Sequence, residues 1–189
     1  MINVFEKGNR HLLEAAVKLM LETYNFVCRL LKLDKFKTAV HCGNLKKHGK
    51  MVYDLLKVNG KKPLLMVEGK QGEYIERFIK GDYDFFCGVA LEYGYDWSFI
   101  PCQFIVKMPF PDLEDARVQG IRETLGEEKF KEWYSWEAMS RVIQASGRNA
   151  RNPRDFAVTV ILDSNFTWVF KKYKDKVPEW FKKRVVFAV

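Results

Sequence analysis

The stretch Gln144-Ala-Ser-Gly147-Arg148-Asn-Ala-Arg151 sets an amide, a glycine and two guanidinium groups within eight positions. Such a set of donors suits a planar, multiply charged oxyanion, above all a nucleotide phosphate, because each guanidinium is a rigid fork of N–H groups. Gly147 allows the backbone to turn tightly beside the bound group. Two arginines at this spacing also fit a basic, solvated helix end, or ion pairs with Asp155 or Asp163. The surrounding residues have to decide.

Three further groups carry polar chemistry. Asn44 stands with Gly43 at the break after a short β-prone run, Thr38-Ala-Val-His41-Cys42, and precedes Lys46, Lys47 and Lys50. Asn44 and the N-terminus of the next helix form a phosphate cradle in one reading and a simple helix cap in the other. Gly88-Val-Ala-Leu-Glu92-Tyr93-Gly94-Tyr-Asp96 is a glycine-bounded loop, for which a tight turn and cap account without any ligand. Lys171, Lys172, Lys174, Lys182, Lys183 and Arg184 read as a soluble basic tail, with a nucleic-acid-facing edge as the alternative.

The elements that must position these groups follow from hydrophobic periodicity. Residues 12–33 repeat apolar side chains at helical spacing (Leu13, Val17, Met20, Leu21, Tyr24, Val27, Leu31), which predicts one long amphipathic helix. Buried strands are predicted at residues 38–42, 63–67, 85–89, 102–108 and 156–162. Helices are predicted at 46–56, 72–79, 113–125 and 128–145. Strands that are nearly continuous apolar runs and alternate with helices imply an α/β fold, a mostly parallel sheet with helices on both faces. Ligand groups in such folds gather at the carboxyl ends of strands. The loops after Cys42, Val89 and Met108, and the stretch before Phe156, are therefore the candidate places.

With 189 residues, 48% of them hydrophobic and 15% aromatic, the chain can bury a full core as a single domain. The expected organisation is a helical segment at 1–36, a core at 37–170 and a basic tail at 171–189. Lysine and arginine number 32 against 24 acidic residues, a net charge of +8 that favours a polyanionic partner. Cys28, Cys42, Cys87 and Cys102 are widely spaced and form no metal-ligand pattern, so free thiols in a reducing compartment are expected. No stretch reaches the roughly 18 apolar residues of a membrane span, and no signal-peptide core precedes the first helix. An intracellular protein that engages no membrane is the expectation.

The segment from Glu137 to Asp155 resembles the Q-x-x-G-R-x-x-R motif of superfamily 2 helicases, in the second motor domain of the XPD/DinG branch. Upstream, Ile105-Val-Lys-Met-Pro109-Phe110-Pro111 is similar to the I-x-x-x-P-F-P strand and turn of that branch, at a matching distance before the glutamine. The resemblance covers about residues 38–166 and implies a RecA-like domain.

It further implies that Gln144, Arg148 and Arg151 are catalytic, with Arg148 and Arg151 facing ATP phosphates across a cleft and Arg151 as the arginine finger. Gly147, Gly94 and Asp96 become nucleotide-binding, and Asn44, Lys46, Lys47 and Gly88 nucleic-acid-binding. ATP and Mg²⁺ are the implied cofactors, shared with an ATP-binding RecA-like domain in cis or trans, and single-stranded or forked DNA is the implied partner. The chain departs from the pattern in five ways. Gly88 to Asp96 resembles the family's E-G-x-D loop, but Tyr93 separates Glu92 from Gly94, and Asp163-Ser-Asn165 lacks the arginine of the usual D-x-R. No phosphate-cradling G-x-x-x-x-G-K-[ST] loop or magnesium-holding D-E-x-H box is present, and neither are the four iron–sulfur cysteines. No iron–sulfur cluster and no metal site are therefore expected in this chain, which reads as one half of a motor. A binding module that keeps the helicase fold without enzymatic activity is the alternative.

Overall fold

Each strand of the sheet is a run of three or four residues too apolar to face water, so it needs a helix on either side. In the computed structural model, which describes residues 10–93, 96–150 and 155–187, five such strands form one sheet. They are β1 (Thr38–His41), β2 (Pro63–Leu65), β3 (Phe85–Gly88), β4 (Cys102–Ile105) and β5 (Val158–Ile161). The order is β2-β3-β1-β4-β5 and every pairing is parallel. The register sets His41 level with Gly88 on one side and Ile105 on the other, and Ile105 level with Ile161. The strands are shorter than the apolar runs that predicted them. Beyond the strand ends single bonds extend the ladder, Cys42 N–H to Gly88 O at 2.8 Å and Val106 N–H to His41 O at 2.9 Å.

Helix α1 (Arg10–Leu31) and α2 (Lys50–Val58), the latter entered through a π-helical turn (Leu45–Gly49), cover one face. Leu13, Val17, Met20, Tyr24 and Val27 pack there with Val52 and Leu56 over Val40, Cys87 and Phe104. Tyr24 ties the helix to the following strand: its hydroxyl accepts from Phe36 N–H at 3.2 Å, and its ring stacks on Phe36 at 4.4 Å. The expected N-terminal helical segment is thus part of the core layer.

Two apolar clusters share the opposite face. Helix α3 (Gln71–Lys80) contributes Ile75 and Phe78 to the first, with Phe86, Leu91, Trp97 and Ile100. Helix α4 (Ala116–Arg148) contributes Ala138, Met139, Val142 and Ala145 to the second. Gly126 (φ 72°, ψ 164°) interrupts α4, which accounts for the two helices read from the sequence. The second half runs to Arg148, past the expected end at Ala145.

Helices α5 (Asn165–Lys172) and α6 (Glu179–Lys182) complete that second cluster. The reading of residues 171–189 as a soluble tail is corrected here. Tyr173, Val177 and Phe181 are at most 5% exposed and pack with Phe166 and Phe170, while Lys171, Lys174 and Lys183 remain in water. The basic residues that dominate the sequence there hide an apolar spacing of every fourth position. Phe181→Ala is expected to cost about 3–5 kcal/mol, as for a large side chain deleted from a core. Lys183→Ala should stay within about 0.5 kcal/mol. Urea unfolding of both variants distinguishes a packed segment from a tail.

Candidate functional site

The chain leaves β1 through Cys42-Gly43-Asn44 at the carboxyl edge of the sheet. Gly43 has φ +71°, and a Cβ there would stand 2.9 Å from Lys107 Cβ, so the turn requires glycine. Asn44 is extended (φ −145°), and its Oδ1 accepts from Lys47 N–H at 2.8 Å. It caps the π-helical turn, while Lys46 and Lys47 point into solvent. The ends of β4 and β5 are bound together by one carboxylate. Asp163 accepts from Met108 N–H and Asn165 N–H, each at 3.0 Å, and pairs with Lys107 Nζ at 3.2 Å. Its oxygens are thereby occupied within the strand-end loops.

His48, in the same turn, is 8% exposed, and its Nδ1–H donates to Cys42 O at 3.1 Å. Burial first, then the Lys47 and Lys107 charges, lower its pKa from 6.5 against that hydrogen bond.

The end of α4, through Arg148, does not lie with these carboxyl-edge loops, among which the sequence had placed the stretch before Phe156, and the connection explains why. Helix α4 follows β4 and must return along the sheet to start β5, so its last turn reaches the amino side. There Asn149 Nδ2–H donates to Ile100 O at 2.9 Å, and Val158 N–H donates to Pro101 O at 2.9 Å. Within this turn Gln144 is exposed and Gly147 and Arg148 are half-buried. Gly147 is helical and not in a tight turn, and a Cβ on it would meet only Trp180, at 4.0 Å. Packing inside the domain therefore makes no demand for glycine there. A cleft of about 390 Å³ opens beside this turn, with Ser146, Thr159, Asp163, Trp180 and Arg184 among its lining.

One segment joins the two regions. After Gly88 at the carboxyl edge, residues 89–93 and 96–100 lead back to the amino side at Ile100, with Leu91 and Trp97 buried against the sheet face. Trp97 holds this return in place by donating to Leu91 O at 2.7 Å. Gly88 is the buried last residue of β3, where a Cβ would stand 2.8 Å from Leu91 Cδ2. Arg148 Nε–H donates to Glu92 O at 3.2 Å, and so seizes the returning loop by its backbone. Neither Asp155 nor Asp163 takes that contact. Asp96 is exposed, and its Oδ1 accepts from Ser98 N–H at 2.9 Å, an ordinary turn bond. Gly94 and Arg151 lie outside the described residues.

Between the returning loop and α4 sits a polar group whose central member, Gln103, sequence reasoning missed. His41, Gln103 and Glu92 are each at most 4% exposed. Gln103 Nε2 donates to Ala145 O at 2.8 Å and to Thr159 Oγ1 at 2.9 Å, and its Oε1 faces His41 Nε2 at 3.0 Å. His41 Nδ1 stands 3.9 Å from Glu92 Oε2. The available signal was a single amide inside the apolar run Cys102-Gln103-Phe-Ile-Val. Among the described residues, no group of three or more His, Cys, Asp and Glu gathers as a metal site. Nor is any described helix long and apolar enough to cross a membrane.

A five-stranded parallel sheet with helices on both faces, and an amide–arginine helix end gripping the loop after β3, is a RecA-like domain. The model of the helicase C-terminal domain family matches residues 27–184, and the chain belongs to that family. Regulator of telomere elongation helicase 1 homologues from Aedes aegypti and Culex quinquefasciatus are each 33% identical to it over 89 residues. That match takes in 43% of this chain and 9% of each relative, so the chain spans under a tenth of their length. A solved XPD helicase is similar with a TM-score of 0.61 at 16% identity, covering 87% of this chain and 30% of that one. S. tokodaii Xpd4 is similar with a TM-score of 0.57 at 13% identity, covering 95% and 35%. These two structures establish the fold.

The His48 shift has a pH consequence. With the folded pKa below 6.5, the unfolded chain binds more protons between the two values. The stability that His48 contributes is complete above that window and is lost as the pH falls through it. Urea midpoints of the unaltered chain and of His48→Gln, measured from about pH 7.5 to pH 5, are expected to converge on acidification. A gap that does not change with pH contradicts this assignment.

Proposed function

We propose that this domain is the second half of an ATP-dependent DNA motor, which completes a nucleotide site held mainly by a separate or covalently joined ATP-binding domain. The observation that carries the reading is the end of α4. Gln144, Gly147 and Arg148 stand there in the order that Q-x-x-G-R-x-x-R requires, with Arg148 anchored on the loop after β3. Membership of the helicase C-terminal family supports it.

The donor set fits a nucleoside triphosphate from one side only. It has guanidinium and amide groups for phosphate oxygens, and among the described residues no carboxylate cluster to hold magnesium. Magnesium would neutralise phosphate charge from the other half of the motor. Within this chain, Gln144 and Arg148 would orient the terminal phosphate. Arg151 would act as the finger, adding fixed positive charge where negative charge grows in the transition state. Asn44, Lys46, Lys47 and the loop from Gly88 to Asp96 would serve the nucleic-acid track through phosphate contacts that do not read bases. An intracellular setting fits these roles.

Steady-state ATPase of the chain joined to its ATP-binding domain tests the reading. Arg151→Ala is expected to lower turnover about 10³-fold or more, with thermal melting and nucleotide affinity nearly unchanged. Arg151→Lys should rescue little, because an ammonium lacks the planar fork. Near-normal turnover in Arg151→Ala rejects the finger and favours the binding-module alternative. Fluorescence anisotropy with a labelled single strand checks the track. Binding should be measurable at about 50 mM salt and weaken steeply as salt rises; no binding at low salt removes the DNA role.

A further inference from the structure

The buried polar group on the sheet face has a defined direction. Ala145 O can only accept, so the Gln103 amide must turn its NH₂ toward α4. Its oxygen then faces His41 Nε2, which must carry the proton of that bond. The His41 ring fits because its neighbour on the same face of β1 is Ala39, level with Gln103 in the register. Beyond the ring lies the Glu92 carboxylate, and the backbone of Glu92 is the group that Arg148 grips. The contacts therefore close a circuit: α4 at Ala145, β4 at Gln103, β1 at His41, the returning loop at Glu92, and α4 again at Arg148.

A buried polar group left unpaired is costly, and an apolar residue at position 103 would join the two neighbouring clusters without that risk. The amide stands where the last turn of a helix runs short of intrahelical donors for its carbonyls. Its second acceptor is Thr159 on the edge strand β5, so Gln103 holds α4 in register with β5 as well.

We propose that Gln103 is a positioning residue for the arginine helix, with His41 and Glu92 as its backing. It fixes the last turn of α4 against the loop after β3, and so sets the place from which Gln144 and Arg148 act. The catalytic consequence rests on the functional reading above; the positioning itself does not.

The test reads Arg148 directly. The ¹⁵N resonance of its Nε–H, assigned by its loss in Arg148→Lys, is followed in the unaltered chain and in Gln103→Met. Gln103→Met keeps the side-chain length and removes both donors and acceptor. The expected result is an Arg148 Nε–H that exchanges with solvent about tenfold faster or more, in a chain that still unfolds cooperatively. Thr159→Val removes one of the two acceptors while keeping the shape of the strand. It should give a smaller change of the same sign, and it keeps the test open if Gln103→Met does not fold. Unchanged Arg148 exchange in folded Gln103→Met, or in Thr159→Val where the first variant fails to fold, overturns the proposal.

Joined to an ATP-binding domain, Gln103→Met should lower kcat on the order of 10²-fold, as for a misplaced catalytic group, with the KM for ATP unchanged. A raised KM at unchanged kcat contradicts positioning. If Arg148→Ala turns over like the unaltered protein, the functional reading fails, and the exchange measurement still decides the positioning by itself.

Discussion

Because β1 has strands on both sides and helices on both faces, its side chains have no route to water, and a polar group placed there costs free energy unless it finds a partner inside, as His41 does and the Thr38 hydroxyl does not. Thr38, Ala39, Val40 and His41 are all buried. The same constraint reaches β3 and β4, whose residues are buried throughout. Polar chemistry is therefore pushed to two kinds of place, the strand ends and the single seam on the sheet face where the α3 and α4 clusters meet. At the strand ends Asp163 binds the loops after β4 and β5 together. In the seam, Gln103 and His41 pair under the last turn of α4.

The return of the chain from Gly88 to Ile100 follows from that layering. The segment has to travel the length of the sheet to begin β4, and it does so against the face that α3 and α4 also cover. It thereby links the carboxyl edge to the arginine helix, which it meets at Glu92. Arg148 meets it at a backbone carbonyl, a contact that any side chain at position 92 would allow. The extra residue Tyr93, which breaks the expected spacing between Glu92 and Gly94, leaves that contact intact.

Much of this was legible in the sequence. The apolar runs named all five strands, and the alternation with helices named the parallel sheet, because burial on both faces leaves so little freedom of composition. The ordered motifs named the family. What stayed hidden has physical reasons. Gln103 is one amide in an apolar run, and only the approach of Ala145 and His41 shows that it is paired. Tyr173, Val177 and Phe181 are spaced for a buried face, yet lysines surround them. The position of the arginines relative to the sheet depends on where a 33-residue helical run ends, and local propensity does not fix that. Asn44 is a cap within the domain whether or not a phosphate ever reaches its helix.

The central claim is that the end of α4 faces the phosphates of a nucleotide bound by another domain. The most direct measurement is a structure of this chain joined to its ATP-binding domain, with ADP and aluminium fluoride mimicking the transferred phosphoryl group. The account predicts guanidinium N–H groups of Arg148 and Arg151 within about 3 Å of the fluoride or β-phosphate oxygens, with Gln144 beside the attacking water. A nucleotide bound in the closed motor with both arginines turned away from it, paired only within this domain, would contradict the account.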